Sequence, residues 1–354
     1  MNTRSPIRLA LHSDLRERGD QALVYRDMVD LFAHADRLGF DSAWVRQYHF
    51  RGRRQGSSFD GGLPSPFVFL SAVAQRTENI RLGTGVVTLP LENPVRVAEN
   101  AAVLDVLSNG RVELGVANGG HPAVARSLGM LRQGDTDQRK ADYLRSLDIL
   151  TGALAGEPLD PTDPEFRLNP SAPTLVDRMW EAALTEQSGH DIAARGNGVL
   201  IGSTQTVPAE VTARAYHSSA APGGTARVGL VVHVHPAATR ELALAEIAEE
   251  VEATYAWGRD WLPHANTLQE KAAGANVHYG SAADIVESIR SFPAFAYVTD
   301  LQVAVHFGTA SHAHRVDVID EIVESIAPHL GWAPALSGGE DQAQPRSTYG
   351  VFQD

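Results

Sequence analysis

A chain of 354 residues, 43% apolar and 21% charged, can bury a large core, and its mixture argues against wholesale disorder. Forty-three Asp and Glu against 30 Lys and Arg give a net charge of −13, which speaks against nonspecific attraction to nucleic acid or anionic lipid. The absence of cysteine excludes disulfides, thiolate nucleophiles, zinc-thiolate sites and iron–sulfur clusters.

Met1–Ser13 lacks the apolar core and cleavage pattern of a signal peptide, and no run reaches the length of a membrane span. A soluble cytoplasmic protein is expected. Ile7–His12 is the first of eight short runs rich in Val, Ile and Leu, without clean alternation, as in strands covered on both faces. A helix is expected from Asp20 to Leu38, where Tyr25, Met28, Val29, Phe32 and Ala35 recur at helical spacing and Gly39 suits the C-cap. Strands at Ser42–Tyr48 and Ile80–Thr88 follow. Asn93-Pro94 reads as an N-cap with Pro at the first helical position, opening a helix that carries Val97, Ala101, Leu104 and Leu107. Ser108-Asn109-Gly110 then turns the chain into a fourth strand, Arg111–Asn118. Met179–Thr185, Gly198–Ser203, Ala226–His233 and Asp300–His306 complete the set. Helices are expected at Thr239–Ala256 and at Ala282–Ser291, with a looser stretch over 257–277.

Eight strands with helices between them fit an α/β (β/α)8 TIM barrel or a doubly wound sheet, and the count favours the barrel, over residues 1–334. Longer insertions are read after the fourth and seventh strands, at the carboxyl face where barrel active sites lie. Residues 335–354 read as a flexible C-terminal tail.

Several segments carry candidate chemistry. Tyr48 and His49 end the second strand as two proton-handling side chains, either catalytic or an ordinary hydrogen-bonding rim pair. Arg51-Gly-Arg-Arg-Gln-Gly56 is either an anion clamp or a solvated loop. In the third strand, Gly85 removes a Cβ where a flat ligand or another backbone could approach. Gly115-Val-Ala-Asn-Gly-Gly120 lacks the GxGxxG spacing of a Rossmann fingerprint. Thr185-Glu-Gln-Ser-Gly189 opens a helix, either as an anion site built on backbone N–H groups or as a plain N-cap. His233 and His235 share one face of the seventh strand, and His312 and His314 flank an alanine. Without further convergent ligands these make no metal site, and none is expected.

Taken together, Ala35-Asp-Arg-Leu-Gly-Phe-Asp-Ser-Ala-Trp-Val-Arg-Gln-Tyr-His-Phe50, Ile80-Arg-Leu-Gly-Thr-Gly-Val-Val-Thr-Leu-Pro90, Asn93-Pro-Val-Arg-Val-Ala-Glu99 and Leu104-Asp-Val-Leu-Ser-Asn-Gly-Arg111 resemble the bacterial-luciferase-like flavin monooxygenases, over roughly residues 6–332. The resemblance implies a (β/α)8 barrel using reduced FMN (FMNH2), delivered by a separate flavin reductase. It also implies reaction with O2 through a C4a-(hydro)peroxyflavin to oxygenate a small organic substrate. A related branch uses F420 for hydride transfer, and a non-catalytic flavin-binding relative is a third reading. Where the family often has Glu-His-His, this chain has Gln47, Tyr48 and His49, and a phenol is a poor base near neutral pH. Asn118 stands where luciferase-type chains carry a phosphate-binding Arg, which shifts that task to Glu186, Gln187, Ser188 and Gly189 or to the 51–54 loop. The family's non-prolyl cis peptide maps onto Gly85-Val86. Tyr48 and His49 are the expected catalytic pair. His12, Gly85, Val86, Asn118 and Glu186 to Gly189 are expected to line the cofactor, with His306 a weaker candidate. A homodimer through the second- and third-strand helices is a further family expectation.

Overall fold

The computed structural model describes residues 6–15, 20–50, 52–54, 57–59, 62–119, 122–129, 136–204, 206–221, 225–258, 262–305, 307 and 311–334. His306, Arg51 and the expected tail at 335–354 lie outside the described residues. Twelve strands are described among them. They are β1 (Arg8–Ser13), β2 (Ser42–Val45), β3 (Gly52–Arg54), β4 (Ser57–Phe59), β5 (Arg81–Thr84), β6 (Val87–Thr88), β7 (Val112–Ala117), β8 (Met179–Ala183), β9 (Gly198–Ile201), β10 (Val228–Pro236), β11 (Val277–Gly280) and β12 (Asp300–Ala304). β1 pairs in parallel with β2 and β12, and the ladder runs on through β5, β7, β8 and β9 to β10, which returns to β12. Eight parallel staves therefore close a TIM barrel, as the strand count predicts. β3 and β4 form a separate antiparallel hairpin.

The surrounding helices are α1 (Gln21–Leu38), α2 (Pro66–Ala74), α3 (Pro94–Leu107), α4 (Pro122–Ser127), α5 (Thr136–Ala155), α6 (Glu186–Arg195), α7 (Ala209–Ser219), α8 (Arg240–Glu246), α9 (Ala248–Gly258), α10 (Leu268–Gly274), α11 (Ala282–Ser291) and α12 (His312–Glu321). Their ends follow local chemistry. Asp20 caps α1 by accepting from the Ala22 N–H, and Gly39 ends it at φ 85°. Asn93 accepts from Val95 and Arg96 at the start of α3, with Pro94 behind it. Ser281 and Asp284 close a reciprocal capping box on α11. Among the described residues no helix is long and apolar enough to cross a membrane.

The barrel axis is filled by two indoles. Trp44 and Trp180 meet edge to face with centroids 5.5 Å apart, packed with Ala10 and Leu200. They fit because Gly83 and Gly198 lack side chains: a Cβ there would lie 2.1 Å from Trp44 and 2.3 Å from Trp180 respectively. Each indole N–H is satisfied from the amino-terminal end, by Ser42 Oγ at 2.8 Å and by Glu113 Oε2 at 2.7 Å. Arg8–Asp300 and Arg81–Glu113 ion pairs complete that lower layer. The bottom of the barrel is thus sealed, leaving its carboxyl end for chemistry.

Two differences from the sequence reading matter. The third stave is interrupted between β5 and β6. Leu82 pairs with Val112 but Val87 pairs with Val116, so one extra residue is accommodated at 85–86 as a bulge. The seventh stave is longer than expected, because its upper half, His233–Pro236, pairs with β11 on the edge that β9 leaves vacant. The segment read as loose therefore ends in a strand. With α8, α9 and α10 it builds a second core of Ile247, Val251, Tyr255, Leu262, Ala272, Ala275 and Val277, joined by Phe307.

Candidate active site

Side chains that face the axis on β1 reach the carboxyl end of the barrel at His12. Its ring is buried and engaged at both nitrogens, Nδ1 with Gln302 Oε1 at 3.1 Å and Nε2 with Asp14 Oδ1 at 3.3 Å. Asp14 in turn accepts from Arg46 at 3.4 Å. The free ring edge of His12 points at the bulge: a Cβ on Gly85 would lie 3.2 Å from His12 Cε1. His12 and Gly85 are thus neighbours, with Val86 packed beside the two-indole cluster. His12 is a wall group, because neither nitrogen is open to a ligand.

The bulge is built by its neighbours. The Gly85–Val86 peptide is cis, at the position the family resemblance gives. Thr84 Oγ1 donates to the Gly115 carbonyl at 2.8 Å and accepts from the Gly115 N–H at 2.9 Å, satisfying backbone that the ladder skips. On the other side stands Gln47, to which the sequence reading gave no role of its own. Its backbone N–H donates to Val86 O, and its side-chain oxygen accepts from the Thr88 N–H at 2.8 Å. Its amide nitrogen donates to Glu92 Oε1 at 2.7 Å and to Pro64 O at 3.4 Å. One buried amide therefore ties together the second stave, the bulge, the α2 approach and the turn before α3.

Tyr48 follows, half-buried, its N–H donating to Leu63 O and its ring lying over Gly62, where a Cβ would come within 2.9 Å of Tyr48 Cδ1. His49 is half-buried beside Phe50, and its Nε2 is buried with no hydrogen-bond partner among the described residues. Burial lowers its proton affinity, and the nearby Glu92 carboxylate raises it in part, leaving the imidazole below the ordinary histidine value. At neutral pH His49 is therefore a neutral ring with an unpaired nitrogen, the form a base needs.

The fourth and fifth staves contribute differently. Asn118 is exposed just beyond β7. Glu186, Gln187 and Ser188 form the first turn of α6, capped by Thr185. Ser188 Oγ is spent inside that cap, bonded to the Thr185 N–H, hydroxyl and carbonyl. Gln187 reaches along the helix to Asp191 at 2.8 Å. Gly189 turns toward α7, where a Cβ would lie 2.6 Å from Thr212 O, so its smallness serves helix packing. What α6 can offer an anion is the backbone N–H groups of Glu186 and Gln187.

His233 and His235 sit on the upper half of β10, both buried. His233 Nε2 meets Ser203 Oγ at 2.9 Å and its ring lies 4.3 Å from Phe307, whereas His235 Nε2 meets Glu246 at 2.8 Å. Among the described residues no group of three or more His, Asp or Glu side chains is gathered as a metal site.

Comparison with known proteins decides the family. Residues 7–327 match the model of the luciferase-like monooxygenases. The chain belongs to that family. It is 29% identical over 237 residues to limonene 1,2-monooxygenase of Rhodococcus erythropolis, covering 63% of this chain and 58% of the relative, so the match spans little more than half of that enzyme. Among solved structures it resembles the oxygenating constituent of 3,6-diketocamphane monooxygenase from Pseudomonas putida, in complex with FMN (TM-score 0.69, 17% identity, 91% of this chain and 98% of that one). It equally resembles an F420-dependent secondary alcohol dehydrogenase (TM-score 0.66, 13% identity, 92% and 99%). At such identities these likenesses establish the fold. Relatives by sequence include the oxygenase component of a flavin-dependent monooxygenase and an F420-dependent dehydrogenase.

Proposed function

We propose that this luciferase-like chain is an FMNH2-dependent monooxygenase of a small organic substrate, served by a separate flavin reductase. The observation that carries the reading is the joint at the carboxyl end of the third stave. There the partly exposed Gly85–Val86 segment packs directly against the His12 ring with no side chain between them, while the buried Nε2 of His49 has no partner among the described residues. A flat ring system suits that surface, with Gly85, Val86 and His12 as its wall. The Glu186 and Gln187 N–H groups, with Asn118 nearby in sequence to the fourth stave's end, are the assigned holders of its phosphate. Reduced flavin supplies the electrons that activate O2, so that one oxygen atom enters the substrate. The chain's own tasks are to bind and orient, to exclude water, and to hold a proton at His49 Nε2.

Anaerobic titration with FMNH2 and with reduced F420, followed by mixing with air-saturated buffer, tests this. Saturable FMNH2 binding and oxygen consumption on mixing are expected. Binding of F420 alone, without oxygen uptake, would make the protein a hydride-transfer enzyme instead. Binding without turnover across substrates would support the non-catalytic reading.

We place the homodimer contact on α2 and α3. Val68 is 74% exposed, with Val103 and Leu107 also turned outward, and an open groove of about 690 Å³ lined by Val29, Leu63 and Phe69 lies between α1 and α2. Light scattering is expected to give twice the chain mass, and Val68→Glu with Leu107→Glu to return it to one.

A further inference from the structure

Arg46 stands directly across from the joint in the third stave. Its chain neighbours bond to that joint on either side: the Val45 carbonyl accepts from the Gly85 N–H at 2.7 Å, and the Gln47 N–H donates to Val86 O at 3.3 Å. Its own N–H donates to Ser13 O at 3.1 Å, so the main chain is fixed toward the first stave as well. Ser42, Trp44 and Arg46 alternate on one face of the second stave, the face from which Trp44 fills the barrel axis. The guanidinium is therefore aimed at the carboxyl mouth, one step above the indole. There it meets Asp14, which also bonds the buried His12 ring.

Other arginines of this chain spend their forks on the fold. Arg195 bonds Glu181 through two nitrogens at 2.9 and 2.8 Å, and Arg178 holds Asp105 at 2.8 and 2.9 Å. Arg111 donates to the carbonyls of Ala74, Thr77, Ile80 and Ser108. Arg46 does not follow them. Among the described residues its side chain makes one bond, from Nη1 to Asp14 Oδ2 at a long 3.4 Å, and it is 37% exposed. Nε and Nη2 are left over, and their parallel N–H groups match the two oxygens of a carboxylate. We propose that Arg46 is a specificity-determining residue of this mouth: its free fork binds a carboxylate on the organic substrate, which makes small organic acids the substrate class. The inference deepens the proposed function and rests on it only for the reaction that the bound acid undergoes. Asp14 fixes the guanidinium by one nitrogen and leaves the other edge to the ligand. The flavin phosphate is assigned to α6, beyond the fifth stave, so the two anions do not compete for one cation. An amide in place of the acid offers a single acceptor oxygen and no charge, and the site discriminates against it.

Benzoate is the probe, with benzamide as its uncharged counterpart. Titration of the full chain is followed by calorimetry and on the Arg46 Nε–H cross-peak in NMR, assigned by its loss in Arg46→Met. Benzoate is expected to bind saturably and to shift that cross-peak, with benzamide at least about tenfold weaker, the worth of one charge-assisted hydrogen bond. Arg46→Met keeps the length of the stem and is expected to lose about tenfold or more for benzoate and nothing for benzamide. Arg46→Lys, a point charge without the fork, is expected to fall between the two. It keeps a cation for Asp14, and it carries the comparison if the urea midpoint shows Arg46→Met to be unfolded. Equal benzoate affinity in the parent and the variants, or no saturable binding to the parent, overturns the inference. So does a loss of FMNH2 affinity in place of benzoate affinity, which gives the guanidinium to the flavin. Benzoate held through Arg46 by a chain that does not bind FMNH2 overturns the proposed function and leaves the acid site standing.

Discussion

Gly115→Ala is expected to cost about 3 kcal/mol of folding stability or more, a large fraction of the roughly 5–15 kcal/mol that holds an ordinary domain folded. A Cβ at 115 would lie 2.1 Å from the Thr84 carbonyl oxygen and 2.9 Å from Leu200 Cδ1. The first contact is with backbone, which has no rotamer to change. Relief requires moving the strand that carries the bulge, and with it the two hydrogen bonds between Thr84 Oγ1 and Gly115, each contributing about 1 kcal/mol. Gly119→Ala is the control, since a Cβ there meets nothing within 4 Å. Urea denaturation of both variants beside the parent checks this. Equal midpoints for the two would show that the bulge shifts freely and that the close approach of Thr84 to Gly115 carries no stability.

Acid should weaken the fold through a histidine remote from the candidate site. His278 lies on β11, donating to or accepting from Ser288 Oγ at 2.8 Å through Nδ1, with the Phe292 ring 5.7 Å away. Its Nε2 is buried with no partner among the described residues. Burial pushes its pKa from 6.5 down to about 4, because no solvent or carboxylate stabilises the charged ring. The unfolded chain therefore binds a proton more readily than the folded one across that interval. Stability from this group is complete above pH 6.5 and is lost as the pH falls toward 4, a total of about 3 kcal/mol. His278→Leu should flatten that part of the profile. Urea midpoints measured from pH 7 to 4 for the parent and the variant give the difference; parallel curves would refute the assignment.

The eight staves were legible because buried parallel strands are short apolar runs separated by well-capped helices. Gly39 and Asn93-Pro94 mark helix ends by chemistry that operates within four residues, and the structure uses each as expected, whereas Asp20, read as the first helical residue, is the N-cap of α1. β11 was not legible. Val277-His-Tyr-Gly280 is too short to show a period, and it becomes a strand only because β10 offers an open edge. In the third stave, read as one strand Ile80–Thr88 with a glycine inside it, Gly85 marked the place, but the one-residue change of register could not be read from composition. At the candidate site, Tyr48, His49 and Gly85 drew notice as polar groups or a glycine at a strand end. Gln47 was named only for its place in the family motif and Glu92 not at all, because their meaning lies in a bond between residues 45 positions apart. His12 drew notice for its position, but its two engaged nitrogens are visible only once Gln302 and Asp14 are in place.

The appendage on β10 has a bearing on how such a protein can diversify. Its buried core draws on residues 247–277, with Phe307 as the sole contributor from elsewhere in that cluster of described residues. Hydrogen bonding to the upper half of β10 fastens it to the barrel wall through main-chain groups, which any sequence supplies. Drift within 247–277 is therefore absorbed locally, and the indole-and-glycine packing on the barrel axis does not have to change with it. Novelty at the rim and conservatism in the barrel are separable in this architecture, with β11 as the seam between them.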